Sequence, residues 1–381
     1  MKVNILTNGF LSPTSRGWLH PIVKNKSRLF EMGIDLSFHF KNTEEIKFCD
    51  VVIVESKFIF NNWNLGSGNH TEDLWLKNRT KIHEFLINLK TENNKVFYYE
   101  LGDSTYSWGL DVLPHVDKLL KPFIFKDKSN YCVPLDECNL YTDYYSKKGI
   151  IKANNFTSPK YLTKKNNNLL DKIQVGFNSA FADHGLESNL WKYDYGNRFA
   201  RRFFKIYSKM LNSTKGFEYI NPESSRIKDL SCRILSKGYR ANGISFHRNE
   251  TARILNKYIS TNKLNRKEYF FEMRNSKVVV SPFGWGEINV PRDYEVALTG
   301  AILVKPDISH IDTWPNIFNK DTVVQYKWDL SNLLESIDKI LDNYDDYIEF
   351  AIRLQDQYKK YSFGELGKEK FCEYFINMIR N

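Results

Sequence analysis

Apolar and polar positions alternate with two different periods along the first 150 residues. Residues 3–6 form a short apolar run that stops at Asn8-Gly9, which predicts a strand. Leu19, Ile22, Val23, Leu29 and Phe30 recur at helical spacing ahead of Gly33, a residue suited to a helix C-terminal cap. A helix is therefore expected over 19–32. Ile34, Leu36, Phe38 and Phe40 alternate with polar residues, as in a half-buried strand, and 51–54 is the continuous apolar run of a central parallel strand. A helix over about 72–89 and a strand over 95–101 complete a βαβαβ order, which favours a parallel sheet with right-handed crossovers.

Periodicity is lost over 152–171, where Asn, Lys, Ser and Pro collect, so a linker is expected there. A second alternating series opens at 173–177. It continues with a helix over 199–211, an edge at 217–220, a helix reaching 235, a strand at 244–246, and helices over 251–258 and 267–275. Buried strands at 277–281 and 301–305 flank a helix that starts near Pro291 and ends before Gly300. The last strand is expected at 322–326, and the chain from Asp329 onward reads as helical.

Composition narrows the class. A length of 381 residues suits two domains or one large α/β domain, and 42% hydrophobic with 26% charged residues excludes a disordered chain. With 19 Gly and 11 Pro, collagen-like and low-complexity classes are excluded too. No apolar run reaches the about eighteen residues that a membrane span needs, and the opening MKVNILTNGF is too short and polar for a signal peptide. Five cysteines form no CxxC and no Cys/His cluster at zinc spacing, which fits reduced thiols in a cytosolic protein. The net charge of +10 and 15% aromatic residues suggest cations for phosphates and rings for bases or sugars. The charge excess, however, divides equally between residues 1–165 and 166–381, with no basic arm, so nucleic-acid binding ranks last among the readings.

The chemistry concentrates in SKVVVSPFGWGEINVPRDYEVALTGAILVKPDISHIDTWP, residues 276–315. A buried strand runs into the loop Phe283-Gly284-Trp285-Gly286, and Pro291 suits the first turn of the helix that follows. In open α/β sheets, ligands bind beyond the carboxyl ends of strands, where such loops meet helix N-termini. Gly284 and Gly286 let backbone N–H groups approach a phosphate, and Arg292 adds a charged fork. Arg292 and Glu295 are i,i+3 on one helical face and can address one ligand. The set suits a nucleotide sugar: one carboxylate for the ribose hydroxyls, a cation for the diphosphate, a second carboxylate for the sugar. Arg248, in Phe246-His247-Arg248-Asn249-Glu250 at the expected end of a strand, is a second diphosphate candidate, and Lys305 a third. His310 and Trp314 follow in a loop.

This segment resembles the C-terminal domain of GT-B glycosyltransferases, in the group-1 and spore-coat-protein-like branches. In group-1 enzymes two Glu separated by seven residues precede the end of a short helix, a Gly and an apolar strand. Here these are Glu287, Glu295, Gly300 and Ala301-Ile302-Leu303-Val304. The Gly loop stands before the first Glu in this chain, whereas group-1 enzymes usually place it after. The resemblance implies an α/β GT-B fold of two Rossmann-like domains facing a cleft. They would be an acceptor domain over 1–155 and a donor domain over 172–365, with a helix over 366–381 crossing back to the first. It also implies that Glu295 binds the donor ribose and Glu287 the transferred sugar, that the nucleotide sugar is a substrate, and that no cofactor is needed.

In the N-terminal half the candidates sit at strand ends: Asn8-Gly9, residues 15–20, Glu55, and residues 100–103. An inverting reaction needs a general base on the acceptor hydroxyl, for which Asp103 comes first and His20 second; a retaining enzyme needs none. No Asp-x-Asp triplet occurs, which argues against the GT-A class with its metal-bound diphosphate and for cations in place of a metal. P-loop, G-x-G-x-x-G, H-E-x-x-H and G-x-S-x-G motifs are likewise missing from the sequence. The expectation is a metal-independent, cytoplasmic glycosyltransferase acting on a glycan or lipid-linked acceptor in surface polysaccharide or glycoconjugate synthesis. Peripheral association with a membrane surface remains compatible with it. The alternatives are a nucleotide-sugar epimerase or hydrolase of the same fold, and a non-catalytic nucleotide- or glycan-binding module.

Overall fold

The computed structural model describes residues 1–9, 13–63, 65, 71–102, 104–107, 109–137, 139–152, 162, 167–182, 218–234, 242–284, 286–288, 291–362 and 364–381. The first unit is built on a six-stranded parallel sheet in the order β2-β1-β3-β4-β5-β7. Its strands are β1 (Lys2–Leu6), β2 (Asp35–His39), β3 (Val51–Glu55), β4 (Lys95–Tyr99), β5 (Lys118–Lys121) and β7 (Ile173–Val175). Side chains alternate between its two faces with the period of two that a pleated strand dictates. Val3, Ile5, Val51, Ile53, Phe97 and Tyr99 meet α1 (Pro13–Lys24) and α2 (Lys26–Glu31). Val52, Val54, Val96 and Tyr98 meet α3 (Ser56–Asn62) and α4 (Thr71–Leu89).

The second unit has a four-stranded parallel sheet of β8 (Lys228–Ser231), β9 (Ser276–Val280), β10 (Ile302–Pro306) and β12 (Val324–Tyr326), in the order β12-β10-β9-β8. Val278, Val280, Ile302 and Val304 pack with α6 (Asn242–Leu255) and α9 (Leu333–Asp342). Val279 and Leu303 pack with α8 (Arg292–Thr299) and α10 (Tyr344–Tyr361). Between α6 and β9 in the chain stands the helix α7 (Arg266–Arg274), which leads directly into β9. Two Rossmann-like α/β units are thus present. An antiparallel ribbon of β6 (Phe123–Phe125) and β11 (Ile311–Thr313) stitches them together.

The last helix, α11 (Glu365–Arg380), lies on the first sheet, where Phe371, Phe375 and Ile379 join the packing of Val3 and Phe97. Lysines meet its carbonyl end, where the helix dipole favours cations. Lys118 Nζ donates to the Met378 carbonyl at 2.7 Å and Lys95 Nζ to that of Arg380 at 3.3 Å. Among the described residues no helix is long and apolar enough to cross a membrane.

Several elements differ from expectation. The helix expected over 19–32 starts at Pro13 and breaks at Asn25 into α1 and α2. The strand at 173–175, expected to open the second unit, pairs with β5 and completes the first sheet. An apolar strand signal does not say which sheet will receive it. The helix expected to reach 235 is replaced by β8, and the strand expected at 244–246 is the first turn of α6. Residues 218–220 form no strand. The helix expected over 199–211 and most of the linker lie outside the described residues, although 167–172 is a 3-10 helix.

Candidate donor site

Two local features aim the segment after β9. The loop turns back on itself through a hydrogen bond from Gly284 N–H to the Gly286 carbonyl at 3.1 Å. α8 then runs from Arg292 to Thr299 between the caps Pro291 and Gly300, and the Gly300 φ of 67° is the left-handed conformation that closes a helix. A Cβ on Gly300 would come within 2.6 Å of the Ile220 carbonyl, so no other residue fits there without movement.

Glu295 and Arg292 lie on the face of α8 turned toward α7. Glu295 is 2% exposed and accepts from Arg266 Nη1 at 2.8 Å. Burial raises its pKa, and the Arg266 guanidinium works against that rise. Tyr269, one turn along α7 from Arg266, lies close to both Glu295 and Arg292. Arg292 Nη2 donates to the Arg233 carbonyl, while its buried Nη1 has no hydrogen-bond partner among the described residues. Sequence reasoning placed Arg292 and Glu295 on one face, and both do lie beside Tyr269. It missed Arg266 and Tyr269, which carry no motif and arrive from another helix; their i,i+3 spacing was the one available sign.

The other cations are engaged within the protein. Lys305, fully buried, forms an ion pair with Asp293 and donates to the Glu287 carbonyl at 3.1 Å. Asp293 also accepts from Ser281 Oγ at 2.6 Å. Arg248 is not at a strand end but inside α6, 2% exposed, and its Nη1 holds the Phe283 carbonyl at 2.8 Å. Phe283 stacks on Tyr141 of α5 (Leu140–Lys147), with centroids 4.3 Å apart. Lys305 and Arg248 therefore brace the Gly loop from both sides. Glu287 is fully buried, and its carboxylate accepts from Thr105 of the first unit.

On the first unit's side, the sheet order reverses beside β1, so the topological switch point lies between β1 and β3, where open α/β sheets take ligands. Glu55, at the end of β3, is fully buried there and accepts from the Thr7 and Ser15 hydroxyls and from Asn8 N–H at 3.1 Å. Burial pushes its pKa up to about 7. Glu100, at the end of β4, pairs with the buried Lys121 at 3.3 Å. His20 is 2% exposed, on α1. Asp103 and Trp285 lie outside the described residues.

No family model and no curated protein sequence matches the chain. Similar solved structures include the T4 phage β-glucosyltransferase, at 13% identity over the whole of both chains with a TM-score of 0.43. HepE of Anabaena in complex with UDP is similar at 8% identity over 99% of each chain, with a TM-score of 0.40. An α-glucosyltransferase in complex with UDP-glucose and DNA containing an abasic site is similar at 11% identity over the whole of both chains, with a TM-score of 0.36. Likenesses this distant say nothing about what the present chain binds.

Proposed function

We propose that the chain is a glycosyltransferase that moves a sugar from a nucleotide-sugar donor to a hydroxyl of a glycan or lipid-linked acceptor, without a metal. The observation that carries this reading is the group at the start of α8. Arg292 offers a buried Nη1 with no partner among the described residues, and Glu295 is held by Arg266, both beside a Gly loop at the carboxyl end of β9. A carboxylate fixed in this way accepts two ribose hydroxyls, and a guanidinium meets a diphosphate through its fork of donors. Of the two loop glycines, Gly286 brings its N–H to the same diphosphate, while the Gly284 N–H is engaged by the Gly286 carbonyl and holds the turn. Lys305 and Arg248 keep the loop in place and act on the donor through it, rather than as free cations.

In the reaction, the acceptor hydroxyl oxygen bonds to the anomeric carbon as the bond from that carbon to the diphosphate oxygen breaks. The nucleoside diphosphate leaves with the electron pair, stabilised by Arg292 and the Gly286 N–H. With inversion, the hydroxyl proton passes to Asp103, or to His20 in its place. The acceptor lies against the first unit, and the setting is the cytoplasmic synthesis of surface polysaccharide or glycoconjugate.

A panel of nucleotide sugars and their nucleoside diphosphates, read by thermal shift, tests the donor site, because a ligand that binds only the folded state raises its melting temperature. At least one pair should stabilise the wild type and fail to stabilise Glu295→Ala. Absence of any shift across the panel would overturn the reading. Product analysis with and without acceptor separates transfer from hydrolysis or epimerisation, and transfer should persist in a chelator.

A further inference from the structure

His310 occupies the junction of the two units. It lies between the carboxyl end of β10 and the start of β11, and its carbonyl accepts from Lys126 N–H of the first unit at 2.8 Å. Its ring stands edge-on to Trp328 at a centroid separation of 5.3 Å. Trp328 is itself fixed, donating through its indole N–H to the Asp307 carbonyl at 2.7 Å. The imidazole is thus held in one place by packing and backbone. Yet both of its ring nitrogens are buried, and neither has a hydrogen-bond partner among the described residues.

Buried polar side-chain atoms in folded proteins nearly always have a partner, and one held rigidly without any is a group arranged to receive one. Three features define what it would receive. The location is the carboxyl end of a central parallel strand, on the side where Glu287 lies. The Glu287 and Asp307 carboxylates favour the charged ring, but burial outweighs them and holds its pKa below the ordinary histidine value, so the ring is neutral near pH 7. A neutral imidazole presents one donor and one acceptor. A phosphate offers acceptors only and would leave the second nitrogen unmatched, next to two carboxylates that repel it. A hydroxyl both donates and accepts, and carries no charge.

We propose that His310 contacts a hydroxyl of the transferred sugar, so that the donor's sugar rather than its nucleotide is read at the β10–β11 corner. This rests on the glycosyltransferase reading above, and the two fail in different ways. The test measures dissociation constants of a nucleoside diphosphate and of the matching nucleotide sugar for the wild type, His310→Phe and His310→Gln. It also measures transfer rates and melting temperatures. His310→Phe should bind the nucleoside diphosphate as the wild type does, bind the nucleotide sugar about tenfold more weakly, and lose transfer. His310→Gln keeps a donor and an acceptor and should recover a large part of the sugar affinity. If the sugar increment is unchanged in both variants, the assignment of His310 is wrong while the donor site stands. If both ligands weaken equally, His310 reads the nucleotide or only supports the fold, and the assignment is again wrong. If the wild type binds neither ligand, the glycosyltransferase reading fails and this inference fails with it.

Discussion

Thr105 and Glu287 join the two units at two points: the Thr105 N–H donates to Glu287 Oε2 at 3.2 Å and its hydroxyl to Oε1 at 2.8 Å. Thr105 lies in the loop beyond β4, and Glu287 follows the Gly loop beyond β9, so the contact joins the carboxyl ends of both sheets. The first Glu of the spaced pair is therefore committed to the other unit. Any ligand that needs its carboxylate must compete with Thr105 or share the remaining lone pairs.

Replacing Thr105 with Val keeps shape and backbone N–H but removes the hydroxyl donor. A hydrogen bond to a buried charge contributes about 1.5–3 kcal/mol, so Thr105→Val should destabilise the protein by roughly that amount in urea denaturation. Thr105→Ser should restore most of the loss. An unchanged midpoint for the Val variant would mean that the hydroxyl bond contributes nothing to holding the seam closed.

Lys305 and Asp293 are both completely buried, and each is the other's counter-ion. Removing one partner leaves a charge in the interior, at a cost of about 3–5 kcal/mol, whereas replacing both with apolar residues of similar size is often neutral. Lys305→Met and Asp293→Leu should each lower stability by that order, and the double variant should be more stable than either single one. A double variant whose loss equals the sum of the singles would show that the two charges act independently.

Arg292 carries a guanidinium nitrogen with no partner among the described residues and is assigned here to the proposed donor site. Arg292→Lys keeps the charge but loses the planar fork, so nucleoside diphosphate affinity should fall about tenfold, or about 1.4 kcal/mol. Arg266→Ala should weaken binding as well, because it releases the buried Glu295 carboxylate from its counter-ion. Calorimetric titration measures both. Equal affinities for wild type and Arg292→Lys would remove Arg292 from the diphosphate site.

The sequence made the α8 segment legible because its signals are local: a Pro at the start, a Gly at the end, and apolar strands on both sides. It did not make α6 legible. Ile244, Ser245 and Phe246 alternate over three residues, but Ile244, His247, Arg248, Thr251, Ala252 and Leu255 form the longer buried helical stripe, and the longer period prevails. β8 reads KDLS, with poor strand propensity, and takes its form from pairing with β9. β5 reads KLLK, and both of its lysines are buried against partners far away in sequence. Lys118 reaches the Met378 carbonyl of α11, and Lys121 reaches Glu100 and the Tyr106 carbonyl. Charge at both ends of a central strand hides it from any reading of hydrophobic pattern. The same holds for Arg266 and Tyr269, whose roles exist only once α7 packs beside α8.

Glu55 gives the fold a pH dependence with a definite sign. Burial raises its pKa from the ordinary 4.5 to about 7. Below the lower value the carboxyl is protonated in both folded and unfolded chains, and its contribution to stability is fully present. As pH rises toward about 7, the unfolded chain releases the proton while the folded one keeps it, so stability falls by about 1.4 kcal/mol per pH unit. Above about 7 both forms are ionised and the fall ends, after a total of about 3 kcal/mol. Glu55→Gln has no such proton, and its amide can still meet the hydroxyls of Thr7 and Ser15. Urea denaturation of wild type and variant at a series of pH values from 4 to 8 should show the variant gaining on the wild type as pH rises, with the gap levelling off near neutrality. Parallel curves would mean that the three donors around Glu55 stabilise the carboxylate as well as water does, and that the buried group ionises without cost to the fold.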